Sequence, residues 1–316
     1  VSAVPTILVL GAGSIGARHA TNLADLGAHV AVHDPDHDRA AAVAGAAGGR
    51  AATALGEEAF DGIVVASPSA LHHEQLGWCL DHGRRVLVEK PLAIHVRQLD
   101  AAVRDRLGQV MVGCNLRFHE PYRRVHELVA GGAIGDVLAA RLWFGSYLPD
   151  WRPSVDYRHS YSARRDLGGG VLRDAIHELD LAMWFFGWPL VVDGSWVGRV
   201  GGLEIDVEDT VRAVLTATSG APVSIELDYL SRRYRRGIEI VGSTATVRFD
   251  WSRAVIEVEH GDDVAATPVT DHVSSSYVRE AQAFLRFVDG GDPSGASGID
   301  GLRCVELAEQ IEGRAS

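Results

Sequence analysis

The sequence has only three cysteines, Cys79, Cys114 and Cys304, and they are widely separated. None stands at metal-ligand spacing from another, which argues against a disulfide framework or a cysteine-rich metal centre and fits a reducing cytoplasm. No apolar run approaches the ~18 residues of a membrane-spanning helix. The opening residues, V-S-A-V-P-T-I-L-V-L, carry no basic segment and pass straight into a strand pattern, so no secretory signal is expected there. Repeats at solenoid periods are also absent. Positive charge is in deficit, with a formal net charge of −12. That balance argues against a general nucleic-acid or anionic-membrane binder, although local arginines can still build a pocket for a small anion. The remaining description is of a large core-forming chain, 316 residues long and 47% apolar, sufficient for one large or two ordinary domains.

The first half carries a layered motif. Thr6–Leu10 is a short β-rich run. Gly11-Ala12-Gly13-Ser14-Ile15-Gly16 follows at once, and then a helical pattern from Ala17 to Leu26. Strand, G-x-G-x-x-G and helix together form a dinucleotide-binding fingerprint. Gly11 allows the tight turn, Gly13 lets a pyrophosphate approach the backbone, and Gly16 lets helix and strand pack closely. The N–H groups at Ser14 and Ile15 then face the phosphates at the positive end of the helix. A second strand, His29–His33, ends in Asp34, 23 residues after Gly11. An acid there accepts hydrogen bonds from a ribose diol and repels a 2′-phosphate, which favours NAD over NADP. Arg39 lies nearby and is a residue type able to accommodate that phosphate.

Strands at Gly62–Ala66, Val86–Val88 and Val110–Cys114 alternate with helical stretches at about Leu71–His82 and Leu92–Leu107. Gly83 is read as the helix C-cap. Short loops join these elements, and such alternation predicts a doubly wound parallel sheet. Val86–Pro91, V-L-V-E-K-P, ends a strand in Glu89, Lys90 and Pro91. Ligands collect at the carboxyl ends of such strands, and Pro91 restricts the backbone of Lys90. His72 and His73 are read as cap or cofactor-rim residues, because adjacent helical histidines point apart and do not share a metal. No metal site is expected.

The chain resembles the glucose–fructose oxidoreductase / inositol dehydrogenase / rhizopine-catabolism family of NAD(P)-dependent oxidoreductases. The matching residues are G-A-G-S-I-G at 11–16, A-S-P-S-A-L-H-H at 66–73, V-L-V-E-K-P at 86–91, G-C-N-L-R-F at 113–118 and G-G-G-V-L-R-D-A-I-H-E-L-D at 168–180. The resemblance covers nearly the whole chain. It implies an N-terminal Rossmann domain, 1–118, of the α/β class. It also implies a C-terminal α+β domain, 119–316, for substrate binding and oligomerisation, with an open, mainly antiparallel sheet and helices on one face. By resemblance Lys90 lies beside the nicotinamide and the substrate hydroxyl, and the peptide before its proline is often cis. The cofactor contacts so implied include Ser67, Pro68, His72, Glu89, Lys90 and Asn115, and Arg117 falls to substrate.

The second half reads as strands at Val137–Leu148, Val191–Val200, Asp209–Thr218, Val223–Leu230, Gly237–Val241, Thr246–Asp250 and Val255–His260. Alternation in Ser224–Tyr229 and Ile256–His260 predicts a sheet with one covered face. Helices are expected at Tyr122–Ala130, Ser276–Val288 and Asp300–Ile311. The long loop Tyr147–Asp166 is rich in aromatics and arginines. It suits a sugar-like ligand with polar or acidic substituents, with Trp151 and Arg152 as the favoured contacts. By resemblance His177 is the general acid/base, as suits a group whose ordinary pKa is near neutrality. Asp174 orients it or contacts substrate. Here the acid stands three residues before the histidine, where the family usually has four, and three residues still allow facing side chains on one helix. Arg173 replaces a usual apolar residue and is expected to meet an anionic substrate group. Asp180 is read as a partner of His177 or a helix-surface charge.

The expected activity is NAD-dependent transfer of a hydride to or from a secondary hydroxyl, or the matching ketone, of a sugar, cyclitol or sugar-containing metabolite. A homodimer or homotetramer through the C-terminal sheet is implied. An enzyme that recycles a tightly bound cofactor and a non-catalytic dinucleotide sensor remain open alternatives. Lysine's ordinary pKa of about 10.4 suits charge stabilisation better than proton abstraction near neutrality, so the proton transfer is assigned to His177.

Overall fold

The computed structural model describes residues 3–56, 58–151 and 156–315. The chain divides into two compact units, Val1–Phe118 with Val273–Val305, and His119–His272 with Glu306–Ser316. The expected second domain, 119–316, is corrected here, because 273–305 returns to the first unit.

In the first unit β1 (Thr6–Leu10), β2 (His29–His33), β3 (Arg50–Ala51), β4 (Phe60–Val65), β5 (Gly83–Glu89) and β6 (Val110–Gly113) run parallel, in the order β6-β5-β4-β1-β2-β3. Both faces of this sheet are covered. Leu8, Leu10, Ile63, Val65, Val86 and Val88 enter one core, while Ile7, Val9, Val64 and Leu87 enter the other. Burial on both sides explains the continuous apolar runs at these strands. The helices are α1 (Ser14–Asp25), α2 (His37–Ala46), α3 (His72–His82) and α4 (Ala101–Arg104).

The second unit holds α5 (Glu120–Ala130), β7 (Val137–Gly145), α6 (Val171–Asp174), α7 (His177–Phe186), β8 (Val191–Gly198), β9 (Thr210–Thr216), β10 (Pro222–Asp228), β11 (Arg235–Gly242), β12 (Thr246–Asp250), β13 (Val255–His260) and β14 (Asp263–Pro268). Its sheet order is β14-β13-β12-β11-β7-β10-β9-β8. All pairs are antiparallel except β7 with β10. Helices α5, α6 and α7 pack on it. Leu142, Ile238 and Phe249 stand opposite one another and are buried. Arg141, Glu239 and Arg248 occupy the next register positions and form cross-strand ion pairs. One face is therefore apolar and the other charged, as the alternation predicts.

The last helices are α8 (Val273–Val288) and α9 (Gly298–Gly313), with β15 (Ala296–Ser297) between them. β15 pairs antiparallel with β6, and Ala281, Phe284, Phe287 and Val288 of α8 join the core that holds Ile7 and Val9. Phe284 and Phe287 on one helix face, both essentially inaccessible, are what draws 273–305 to the first sheet.

Other expectations need correction. Leu92–Leu107 is not one helix; it holds a 3-10 turn at Val96–Gln98, the four residues of α4 and the first residue of a second 3-10 turn, Leu107–Gln109. Leu92, Leu99, Val103 and Leu107 are apolar because they fill the core, and their spacing mimics a helical stripe. Gly83 starts β5 in an extended conformation and does not cap α3 in the left-handed region. Its lack of a side chain serves packing, since a Cβ there would lie 2.9 Å from Ile63 Cγ1. β14 is exposed at every residue, which is why no alternation announced it.

Beneath the second sheet, Glu178 of α7 and Arg236 of β11 form a buried pair, with Oε1 2.7 Å from Nε. Arg236 also lies over the Phe144 ring at 4.7 Å. Glu178→Leu leaves a buried guanidinium without this carboxylate and is expected to cost about 3–5 kcal/mol of stability. Urea unfolding measures it. The double replacement Glu178→Leu/Arg236→Leu should cost less than the single one.

Candidate active site

Local chemistry shapes the turn between β1 and α1. Gly11 has φ +96, and a Cβ on Gly16 would stand 1.8 Å from the Gly11 carbonyl oxygen, so neither position takes a side chain. Gly13 has nothing within 4 Å of its would-be Cβ. The helix begins at Ser14 without a side-chain cap, so the N–H groups at Ser14 and Ile15 are presented to an anion. Asp34 ends β2 and is buried. Its Oδ2 accepts from the Ala12 N–H at 2.7 Å, and its Oδ1 from the Asp36 N–H at 2.9 Å and from Arg39 Nη2 at 2.7 Å. Burial opposes its charge, but the Arg39 guanidinium and the two backbone donors prevail and hold the carboxyl below its usual range. An ionised carboxylate has about four acceptor positions, so a ribose hydroxyl still finds one there. These residues fit a dinucleotide: an open turn, a helix start and an acid.

Lys90 follows the last residue of β5, and the Lys90–Pro91 peptide is cis, as the resemblance implied. Glu89 Oε1 lies 2.7 Å from His19 Nε2. His72 is buried, with Nδ1 2.7 Å from the Pro91 carbonyl oxygen and Nε2 3.0 Å from that of Ser67. Burial keeps its pKa below the ordinary value despite those carbonyls. Both ring nitrogens face backbone, so the expected cofactor-rim role of His72 is corrected to a clamp on this loop. Ser67 donates its hydroxyl to Gln75 Oε1 at 2.6 Å, and Pro68 opens the following 3-10 turn. Asn115 is buried and donates to Ser276 Oγ at 2.8 Å. Arg117 Nη1 lies 3.4 Å from Asp300 Oδ2.

In the second unit Asp174 ends α6 and His177 starts α7, with a break at Ala175 and Ile176. The expectation that both share one helical face is thus corrected: they stand at a junction between two helices. Both are largely buried, at 7% and 8% exposure. Tyr229 donates its hydroxyl to Asp174 Oδ2 at 2.6 Å. Burial, and then the Asp174 charge, push the Tyr229 pKa well up, so it remains a donor. Glu208 Oε1 accepts from the Leu172 N–H at 3.0 Å and holds the start of α6. At Gly170, where φ is +112, a Cβ would lie 2.2 Å from that carboxylate oxygen.

Arg173 is corrected as well. Its guanidinium is committed to Glu312, with Nη2 3.1 Å from Oε2. Asp180 is buried at 1% exposure, which overturns its reading as a surface charge. Trp151 donates to Ser146 Oγ and packs edge-on to Phe144 and Tyr229. Arg152 lies outside the described residues. Tyr229, Glu208 and His19 are the residues that motif reading missed, since each gains meaning only from a partner distant in sequence. One further signal was available from counting: Lys90 is the only lysine among the 30 Lys and Arg residues.

Two family models match. "Oxidoreductase family, NAD-binding Rossmann fold" covers residues 6–113, and "GFO/IDH/MocA C-terminal domain" covers 122–248. Inositol 2-dehydrogenase of Rhizobium meliloti strain 1021 is 30% identical, over 95% of this chain and 94% of that protein. The dTDP-3,4-didehydro-2,6-dideoxy-alpha-D-glucose 3-reductase of Streptomyces violaceoruber is 31% identical, over 80% and 75%. Among solved structures, GenD2 from gentamicin A biosynthesis, in complex with NAD, superposes with a TM-score of 0.82 at 25% identity, covering 99% of this chain and 95% of that one. Both halves match the same family, and the dinucleotide turn has the form such a domain requires: the chain belongs to the GFO/IDH/MocA oxidoreductases and binds NAD.

Proposed function

We propose that the protein is an NAD-dependent dehydrogenase acting on a secondary hydroxyl, or the matching ketone, of a sugar, cyclitol or sugar-containing metabolite. The observation that carries this reading is Lys90. A chain that uses arginine at every other such position keeps one lysine, at the carboxyl end of a Rossmann strand. An ammonium is a compact point charge that can sit directly on one oxygen, which a planar guanidinium does less well. The names of the relatives, an inositol dehydrogenase and a deoxysugar reductase, support the substrate class.

NAD, when bound, supplies the hydride acceptor for oxidation. The turn at Gly11–Gly16 and the start of α1 hold its diphosphate, and Asp34 holds the adenosine ribose. Lys90 places the reacting hydroxyl and offsets the negative charge that grows on its oxygen. His177 takes the hydroxyl proton. Asp174, steadied by Tyr229, offers its carboxylate to the substrate hydroxyls.

The test is purified protein mixed with NAD or NADP and a panel of inositols, aldoses and nucleoside-diphosphate sugars, followed by nicotinamide absorbance. Turnover of a panel polyol with NAD, at higher kcat/KM than with NADP, is expected. Failure to bind NAD(H) or to turn over any of these compounds would sink the proposal.

A further inference from the structure

Lys90 is a flexible side chain on a loop, yet the role proposed for it needs sub-ångström placement. What fixes it is visible on either side. Before it, Glu89 is tied to His19 of α1, one helical turn after Gly16. After it, the Pro91 carbonyl is tied to His72 of α3. Both histidines are essentially inaccessible, at 0% and 1% exposure. We propose that His19 and His72 are positioning residues that bracket Lys90, fixing its two neighbours to α1 and α3. The role assigned to Lys90 above is the reading on which this rests.

The His19 side carries most of the argument. A carboxylate only accepts, so His19 Nε2 bears the proton and donates to Glu89 Oε1. Its Nδ1 is buried without a hydrogen bond among the described residues, so Glu89 is what the ring serves. Glu89 Oε2 accepts weakly from the Lys90 N–H, at 3.3 Å. Gly113 of β6 leaves the space, since a Cβ there would press to 2.9 Å of the Glu89 carboxyl carbon. Glu280 of α8, fully buried, brings a carboxylate oxygen within 4.8 Å of the other two groups. Two carboxylates so close in a poorly solvated place repel each other, and an imidazole donor on one of them fixes its orientation. The helix that receives the diphosphate and the strand that delivers Lys90 are thereby joined at one hydrogen bond.

Because Lys90 is the only lysine, reductive methylation with 13C-formaldehyde labels one side chain besides the terminal amine. Its NMR signal, with and without NAD, reads placement without any substrate. In His19→Leu and His72→Leu the signal should move more than halfway to that of free dimethyllysine. His19→Gln, which keeps a donor near Nε2, and His72→Asn, which keeps one near Nδ1, should restore it. If a leucine variant does not fold, Glu89→Ala, which removes the acceptor, decides the His19 arm and should shift the signal similarly. Turnover of the best panel polyol should fall about 10- to 50-fold in His19→Leu, with NADH affinity within about threefold. In a Lys90→Ala background the same change should cost less than about twofold, as expected of residues acting as a unit.

An unchanged signal in the leucine variants and in Glu89→Ala overturns the proposal, as do equal losses with and without Lys90. A signal that moves on dialysis against EDTA would mean that a cation holds the carboxylates, and overturns it too. Should Lys90→Ala keep full turnover, the catalytic reading of Lys90 fails, while the NMR comparison still decides whether the histidines place it.

Discussion

Lys90→Ala is expected to lower kcat by about 10²–10³-fold, the loss typical of removing one preorganised group that stabilises charge in a transition state. The argument begins with what the residue is asked to do. As the hydroxyl gives up its proton and its carbon gives up the hydride, the oxygen passes through a state with extra negative charge. An ammonium in place before that moment costs no reorganisation. Binding of NAD should change little, because the diphosphate and ribose are assigned to the Gly11–Gly16 turn and to Asp34. Steady-state kinetics with the best panel polyol, beside NADH fluorescence titration, separate the two effects. Lys90→Arg should recover only a small part of the loss, since a planar fork does not replace a point charge. Deuterium at the oxidised carbon should slow the variant more than the wild type, because hydride transfer becomes the slow step. A variant with full kcat would remove Lys90 from the chemistry.

His177→Ala is expected to cost about 10²–10⁴-fold in kcat, the range for loss of a positioned acid/base. The side chain is 8% exposed and starts α7, one junction away from Asp174, whose carboxylate is held by Tyr229. The vacated volume is imidazole-sized, so added imidazole should restore part of the rate at saturating polyol. Rescue of His177→Ala by imidazole, together with none in Lys90→Ala, would separate a proton-transfer role from an electrostatic one. Equal insensitivity of both would refute the division of labour.

Local order made much of the fold readable. The run from β1 through Gly11–Gly16 to α1 and Asp34 uses neighbours in sequence, and each step has one physical meaning. The same holds for the continuous apolar strands, whose two buried faces leave no alternation to misread. Reading failed where the partner is distant. Leu92, Leu99, Val103 and Leu107 look helical because the core wants apolar groups there, not because the backbone turns. β14 carries no pattern because nothing covers it. Arg173 looked like an anion receptor until Glu312, on the last helix, took its charge. The catalytic candidates Lys90, Asp174 and His177 were legible through the resemblance. Tyr229, Glu208 and His19 were not, since each acts through a hydrogen bond closed across tens of residues.

The return of 273–305 to the first sheet bears on how the protein is made. An emerging chain has β1–β6 long before it has β15 and α8. Until then β6 has an unpaired edge, and Ile7, Val9 and Leu87 lack the phenylalanines that cover them. The cofactor-binding half therefore completes its fold only after α8 and β15 have left the ribosome, when the whole sheet of the second unit, 137–268, is already available to fold. A fragment ending at Phe118 should behave as an aggregation-prone intermediate with a sticky strand edge, not as a small soluble dinucleotide binder.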